Sequence, residues 1–342
     1  MCIIIDAKHE IILHDFSINK FGQISIMNNI HLSILGKTKL SILIAIIACS
    51  CCIGCSKQVQ TLADFKLEEN SGSAMLKYVE RFVEISPRDS GSVNSGRAAQ
   101  WLSKEIKKCG LTPKADTWIE QTNIGRIAFS NIYADFPGES PKTILIGCHY
   151  DTKSGIGEGF QGANDGGSSV GVMLELMRQL VENNVKTKHT IRFAFFDGEE
   201  CIGESYSAHN GLHGSTRMAN YYLNEAKDIL ENVIIIDMVG DKDLVLEIPR
   251  NVTPKLAKQA MIAAMENKNA ARVSLASTYC IDDHWPFVER GFSAIDLIDY
   301  TYGSTPNSRD YWHTLEDTVD KLSADSLKKT GILVVDILKL ID

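Results

Sequence analysis

The residues most able to do chemistry are two adjacent carboxylates, Glu199 and Glu200. They follow the apolar run Ile191 to Phe196 across Asp197-Gly198. Side-by-side carboxylates in a partly desolvated cleft repel one another unless a metal ion or a proton offsets the charge. Other residues of the same chemical type recur at the ends of apolar runs or in turns: His149, Asp165 in Gly162-Ala163-Asn164-Asp165-Gly166-Gly167, Asp237, Asp282-Asp283-His284 and His313. Each has a plainer reading. Glu199-Glu200 could be a solvated acidic turn, Asp165 a helix cap, His149 a satisfied structural histidine, and Asp237 a hydrogen-bonded strand residue. Collectively they are the imidazole and carboxylate donors that hold a hard or borderline metal ion and move protons beside it.

These residues need a frame that brings strand ends together. Strand patterns cover Ser130 to Phe136, Thr143 to Cys148, Thr190 to Phe196, Asn232 to Val239 and Ala294 to Ile298. Helical spacing covers Ser73 to Ser86, Arg97 to Cys109, Val170 to Glu182, Gly214 to Leu230, Pro254 to Glu266 and Ser323 to Ile341. Alternating strands and helices predict an α/β fold: one domain with a mixed, mostly parallel central sheet and helices on both faces. In such sheets, ligands bind at the carboxyl ends of the strands, where the runs before His149, Glu199 and Asp237 finish. The loop Asp299 to Asp310, which delivers Tyr311-Trp312-His313-Thr314, is long enough to be functional.

The chain has 342 residues, 44% of them apolar, and a net charge of -8. That balance argues against nucleic acid as a partner. Residues 1–36 show no clear periodicity. Lys37-Thr38-Lys39 then precedes an apolar run from Leu40 to Ala48 and four cysteines, Cys49, Cys51, Cys52 and Cys55. Leu40 to Gly54 is shorter than the roughly 20 residues a bilayer span needs, but it matches the basic and apolar regions of a signal peptide. Ile46-Ile47-Ala48-Cys49 resembles a bacterial lipobox, with Cys52-Ile53-Gly54-Cys55 a second candidate. The expectation is an exported bacterial lipoprotein, periplasmic or at the cell surface, held to the membrane only by a lipid anchor. Residues 1–55 then comprise an over-extended start, with Met27 an alternative first residue, plus the signal segment; residues 56–72 form a polar tether and 73–342 the catalytic domain. Cys109, Cys148, Cys201 and Cys280 form no CxxC pair and read as small buried hydrophobes.

Five motifs in order, His149-Tyr150-Asp151-Thr152, Gly162 to Gly167, Phe195 to Glu200, Ile236-Asp237-Met238-Val239-Gly240 and Trp312-His313-Thr314, resemble the zinc-dependent M28 peptidase family from about Ser73 onward. Asp282-Asp283-His284, Trp312 before His313, and Gly214-Ser215-Thr216-Arg217 are most similar to its glutaminyl cyclases. The resemblance implies Zn2+ held by Asp165, Glu200 and His313. It further implies His149 as a metal ligand, which with Asp237 would hold a second zinc if the chain is an aminopeptidase. It also implies Glu199 as general base, and Asp237 and Asp282 holding the amine and the departing ammonia. Trp312, Trp285 and Asp296 are implied around the substrate, though Trp285 and Phe287 also read as core. The implied substrates are peptide or protein N-termini, with pyroglutamate formation from glutamine as the reaction or, alternatively, aminopeptidase hydrolysis. Asp296 stands where animal cyclases carry a histidine. Cys148 matches a cysteine that pairs in the animal enzymes, but its partner position here is Val170, so that disulfide is expected to be absent.

Overall fold

The structure, a computed structural model, describes residues 59–342 except 204–205 and 208–209, together with three strands near the N-terminus. The chain divides into two units, Met1–Lys57 and Gln58–Asp342. The first contains an antiparallel sheet of β1 (Cys2–Ile5), β2 (Ile11–Ile18) and β3 (Ile24–Leu32), where sequence periodicity predicted no element. The stretch from Leu40 to Cys55, with its signal-like and lipobox-like features, lies outside the described residues.

The second unit is built on an eight-stranded sheet. Its central strands are β7 (Ser140–His149), β9 (His189–Phe196), β10 (Leu230–Asp237) and β13 (Ala294–Ile298), all mutually parallel. The hairpin of β5 (Lys114–Thr122) and β6 (Gly125–Phe136) extends one side antiparallel to β9. On the other side, β11 (Leu246–Ile248) runs antiparallel to β13 and carries β12 (Val273–Leu275). The order is β12-β11-β13-β10-β7-β9-β6-β5.

The central strands are continuous apolar runs because both faces are covered. Side chains alternate between the faces: Ile144, Ile146, Ile191, Phe193, Ile234 and Ile236 join one apolar cluster, while Leu145, Ala194, Val233 and Ile235 join another. The first is packed by α1 (Ser71–Val83), α2 (Val93–Lys108), α3 (Gly167–Glu182), α5 (Pro254–Glu266) and α7 (Ala324–Ile341). The second is packed by α4 (His213–Glu225) and the short α6 (Trp285–Glu289). The α/β expectation, with helices on both faces, is met.

The expected tether needs correction. Gln60–Thr61 forms β4 and pairs with β8 (Val185–Lys186), and Leu62 and Phe65 are buried in the main core. The polar look of 56–72 hid two apolar anchors that fasten the chain before α1 starts. Cys109 and Cys148 are buried free thiols as expected, while Cys201 and Cys280 are half-buried and also free. Cys148 therefore has no disulfide.

Candidate active site

Strand register gathers the site. His149, the last residue of β7, lies opposite Phe196 at the end of β9, and Asp237 ends β10 one strand over. Asp197-Gly198-Glu199-Glu200 continues directly from β9, and the turn carrying Asp165 precedes α3. His313 reaches the same place from the loop after β13. The carboxyl-end location inferred from the sequence therefore holds for five separate segments.

The closest contacts are between donor atoms. His149 Nε2 lies 3.1 Å from Asp165 Oδ1 and 3.1 Å from Asp237 Oδ1. His313 Nε2 lies 2.9 Å from Glu200 Oε1 and 3.3 Å from Asp165 Oδ2. Two donor triads result, His149/Asp165/Asp237 and Asp165/Glu200/His313, sharing Asp165. Donors bound tetrahedrally at about 2.1 Å from one zinc ion stand roughly 3.4 Å apart, close to the separations found. Asp165 Oδ2 is buried with no hydrogen-bond partner despite its approach to His313. The residues present thus fit a bound divalent cation, and their nitrogen-and-oxygen donor set suits zinc.

The field at the site is strongly negative. Burial acts to lower the His149 pKa, but Asp237, Asp151 and Asp165 overcome it and hold the group well above its usual value. His313 is raised to about 10, since the Asp165 and Glu200 contacts outweigh burial. Burial pushes Glu200 up to about 7, with Asp165 adding to the rise. Asp165 moves the other way, far below the usual carboxylate range, because both histidines offset its burial. A cation arriving here meets charge that the protein alone balances only by holding protons.

Glu199 is half-buried beside Glu200, and burial raises its carboxyl well above the ordinary value, opposed by His149 and reinforced by Glu200, Asp282 and Asp283. Asp282, Asp283 and Asp296 are all buried and all raised, burial being the main cause. Asp296 sits on β13 opposite Ile235 of β10, two residues inside the strand end that holds Asp237. With Cys280 and Asp282 it forms a third group of close donors. His284 Nδ1 lies 3.6 Å from Asp296 Oδ2, yet burial lowers His284 to about 3 while raising Asp296. Burial moves both groups toward their uncharged forms.

Trp312 stacks on His313 at 3.8 Å between ring centroids, so one face of the indole is already covered. The expectation that it stacks on a substrate amide is narrowed further by the Arg309 guanidinium, which also lies over the ring, 4.3 Å from its centroid. Trp285 is half-buried at the start of α6, where its backbone N–H donates to the Asp282 carbonyl (2.8 Å), and Phe287 is core.

Sequence reasoning missed the groups that aim the ligands. Both Asp151 oxygens accept backbone N–H groups, from Glu199 and from Glu200 (3.2 Å each), and Oδ1 also faces His149 Nδ1 at 3.5 Å. Ser90 Oγ lies 3.2 Å from Asp151 Oδ2 and 3.1 Å from Asp197 Oδ1. Burial and the neighbouring Asp151 charge push Asp197 up to about 7. On the far side of the site, Asp317 accepts the backbone N–H of Asn164 (2.7 Å) and Asp165 (3.2 Å) and the Tyr302 hydroxyl (2.8 Å).

Two buried cations fasten the loops. Arg88, wholly buried, donates to the carbonyls of Tyr150 (2.8 Å), Gln161 (2.8 Å) and Gly162 (3.0 Å), tying the His149 loop to the Asp165 turn. Lys153 donates to the carbonyls of Cys201 and Gly203, tying the same loop to the segment after Glu200. The only sequence signal for any of these was Asp151, two residues after a histidine already singled out.

Backbone strain concentrates here. Met238 and His313 adopt positive φ (47° and 56°), a conformation that costs a side-chain-bearing residue energy and persists where packing enforces it. Gly166 (φ 79°) approaches so closely that a Cβ would lie 2.8 Å from the Asp151 carbonyl and 3.0 Å from the His149 ring.

Residues 131–338 match the family model for peptidase family M28. Among solved structures, the chain is similar to a glutaminyl cyclase from an Acidobacteriales bacterium, with 31% identity, a TM-score of 0.74, and coverage of 81% of this chain and 96% of that one. Among curated proteins, it is 24% identical over 272 residues to the glutaminyl-peptide cyclotransferase of Drosophila melanogaster, covering 71% of this chain and 75% of the relative. It is also 26% identical over 288 residues to leucine aminopeptidase 1 of Pyrenophora teres f. teres, covering 78% and 69%.

Proposed function

Because the chain belongs to peptidase family M28, we propose that it is a zinc-dependent glutaminyl-peptide cyclotransferase, closing an N-terminal glutamine into pyroglutamate with release of ammonia. The observation that carries this reading is the placement of three buried carboxylates, Asp237, Asp282 and Asp296, together with Glu199 beside the Asp165/Glu200/His313 triad. Cyclisation needs groups that hold an amine and carry one proton from that amine to the departing nitrogen.

Asp165, Glu200 and His313 would hold the zinc, with His149 beside Asp165 in the neighbouring triad, where it would be a ligand if a second ion binds. Bound there, zinc supplies Lewis-acid polarisation of the γ-amide carbonyl. The chain's own residues do the rest. Glu199 accepts a proton from the α-amine as its nitrogen attacks the carbonyl carbon of that γ-amide. It returns that proton to the amide nitrogen as the carbon–nitrogen bond breaks and ammonia leaves. Asp237 and Asp282 orient the amine and receive the ammonia by hydrogen bonding. Asp296, buried on β13, gives Asp282 a polar neighbour. Trp312 fixes the ring plane of His313.

One observation favours a second reading. His149, Asp165 and Asp237 make a complete second donor triad, which two-metal hydrolysis by an aminopeptidase would use. Metal stoichiometry and products on Gln-naphthylamide and Leu-naphthylamide separate the two. One zinc per chain and loss of the mass of ammonia from the glutamine substrate are expected. Two zincs and free naphthylamine from the leucine substrate would replace the cyclase with the peptidase. Glu199→Gln is expected to lower turnover at least about 100-fold at unchanged zinc content; loss of metal instead would mean that the two glutamates have exchanged roles.

A further inference from the structure

Three exposed or half-buried arginines that lie over aromatic rings share a pattern, unlike the wholly buried Arg88, which lies over Phe82 and binds carbonyls. Arg81 over Trp101 (5.5 Å) pairs with Glu105 at 2.7 Å. Arg192 over Tyr133 (4.7 Å) pairs with Asp135 at 2.7 Å, and Arg217 over Trp118 (4.7 Å) pairs with Asp116 at 2.6 Å. Each ring fixes a guanidinium whose fork then takes a carboxylate.

Arg309 breaks the pattern. Its guanidinium carbon lies 4.3 Å from the Trp312 ring centroid, closer than in those three, and among the described residues it makes no hydrogen bond or ion pair. The carboxylate next to it is already taken: Asp310 accepts Ser304 N–H (2.7 Å), Ser304 Oγ–H (2.6 Å) and Ser308 Oγ–H (2.8 Å). These bonds hold Asp310 well below the usual carboxylate range, and so ionised but turned to its own loop. His313 (3.8 Å between ring centroids) and the Arg309 guanidinium both lie against the Trp312 indole, which joins the exposed cation to the candidate metal ligand.

We propose that Arg309 is a carboxylate-binding subsite that favours substrates with an acidic residue directly after the N-terminal one. The two distances to the Trp312 ring, 3.8 and 4.3 Å, put the guanidinium no more than about 8 Å from the His313 ring. An extended peptide advances roughly 3.3–3.6 Å per residue, so this is the reach of a second-residue side chain when the first residue occupies the site at His313. Arg309 is exposed, at the edge of a site whose interior is carboxylate-rich, so it offers an acidic side chain the attraction that the interior denies. The inference rests on the proposed function only in taking peptide N-termini as the substrate.

The test compares Gln-Glu-Ala-amide, Gln-Ala-Ala-amide and Gln-Lys-Ala-amide. Calorimetry measures binding to zinc-loaded Glu199→Gln protein, and steady-state kinetics measures native turnover. An exposed, bidentate charge pair predicts binding of the glutamate peptide about 3- to 10-fold tighter than that of the alanine peptide, with the lysine peptide weakest. The preference should shrink in high salt and vanish in Arg309→Gln, with zinc content retained. Equal binding of the glutamate and lysine peptides, or a preference that survives Arg309→Gln, would overturn the proposal. If no glutamine peptide is cyclised while the Arg309-dependent binding preference remains, the subsite stands and the reaction assignment falls.

Discussion

Replacing Asp151 by Asn tests whether the metal site depends on a residue that donates nothing to the metal. The carboxylate bridges two consecutive backbone amides, those of Glu199 and Glu200, with one oxygen on each at 3.2 Å. Asparagine keeps a single oxygen. Whichever way its amide is turned, one backbone N–H loses its acceptor and faces another donor, and the other loses the benefit of a charged acceptor. Hydrogen bonds to charged groups contribute about 1.5–3 kcal/mol, and a buried donor left unpaired costs a comparable amount. A loss of roughly 2–4 kcal/mol is therefore expected, enough to lower Tm by about 5–10 °C in a domain of this size. Because the same carboxylate faces Nδ1 of His149 at 3.5 Å, zinc affinity should also fall, by about 10–100-fold as for other residues that orient metal ligands. Competition with a chromophoric chelator gives the affinity, and thermal melts of zinc-loaded and chelator-stripped protein give the stability. An Asp151→Asn protein with native Tm and zinc affinity within twofold would refute the claim that this residue aims both glutamates.

Two further outcomes follow from the same geometry. His313→Ala removes the imidazole of the Asp165/Glu200 triad, so zinc content and activity should fall together, and chelator should no longer shift the melting temperature; an active, zinc-replete variant would remove His313 from the ligand set. Arg88→Met keeps a long apolar stem over Phe82 but strips donors from three buried carbonyls. Relief of the buried charge offsets part of that loss, leaving an expected destabilisation of about 3 kcal/mol or more, read as a lower urea midpoint; an unchanged midpoint would show that the arginine is not the tie between the His149 and Asp165 loops.

The parts of the fold legible in the sequence were those whose burial is uniform. The runs Ile144 to Cys148 and Val233 to Ile236 are apolar on every residue because both sheet faces are covered, and α5 begins at Pro254 and ends at Glu266 where its pattern does. The edges were not legible. β5 alternates exposed and half-buried residues such as Lys114, Asp116 and Glu120, held as a strand by pairing with β6 rather than by its own pattern. β11 and β12, three residues each, are too short to carry a period. Leu62 and Phe65 are two anchors in a polar stretch, below what any window resolves.

The same division runs through the site. Metal-type donors were legible because their side-chain chemistry is their function, and the fold brings His149, Asp165, Glu200, Asp237 and His313 together in two triads whose donor atoms lie within 4.8 Å of one another. Asp151, Asp317, Arg88 and Lys153 act through backbone N–H and C=O groups, which every residue possesses, so residue type signals nothing about the partner. Their common target is nevertheless narrow: the loop 149–153, the turn 161–165 and the segment 199–203. Arg88 joins the first to the second, Lys153 the first to the third, and Asp151 lies in the first and grips the third. Three separate segments are thus locked by charged groups to backbone dipoles, independently of any metal. A site assembled in that way is rigid before zinc arrives, which reduces the ordering that binding must impose and holds Glu199 beside the metal position rather than on it.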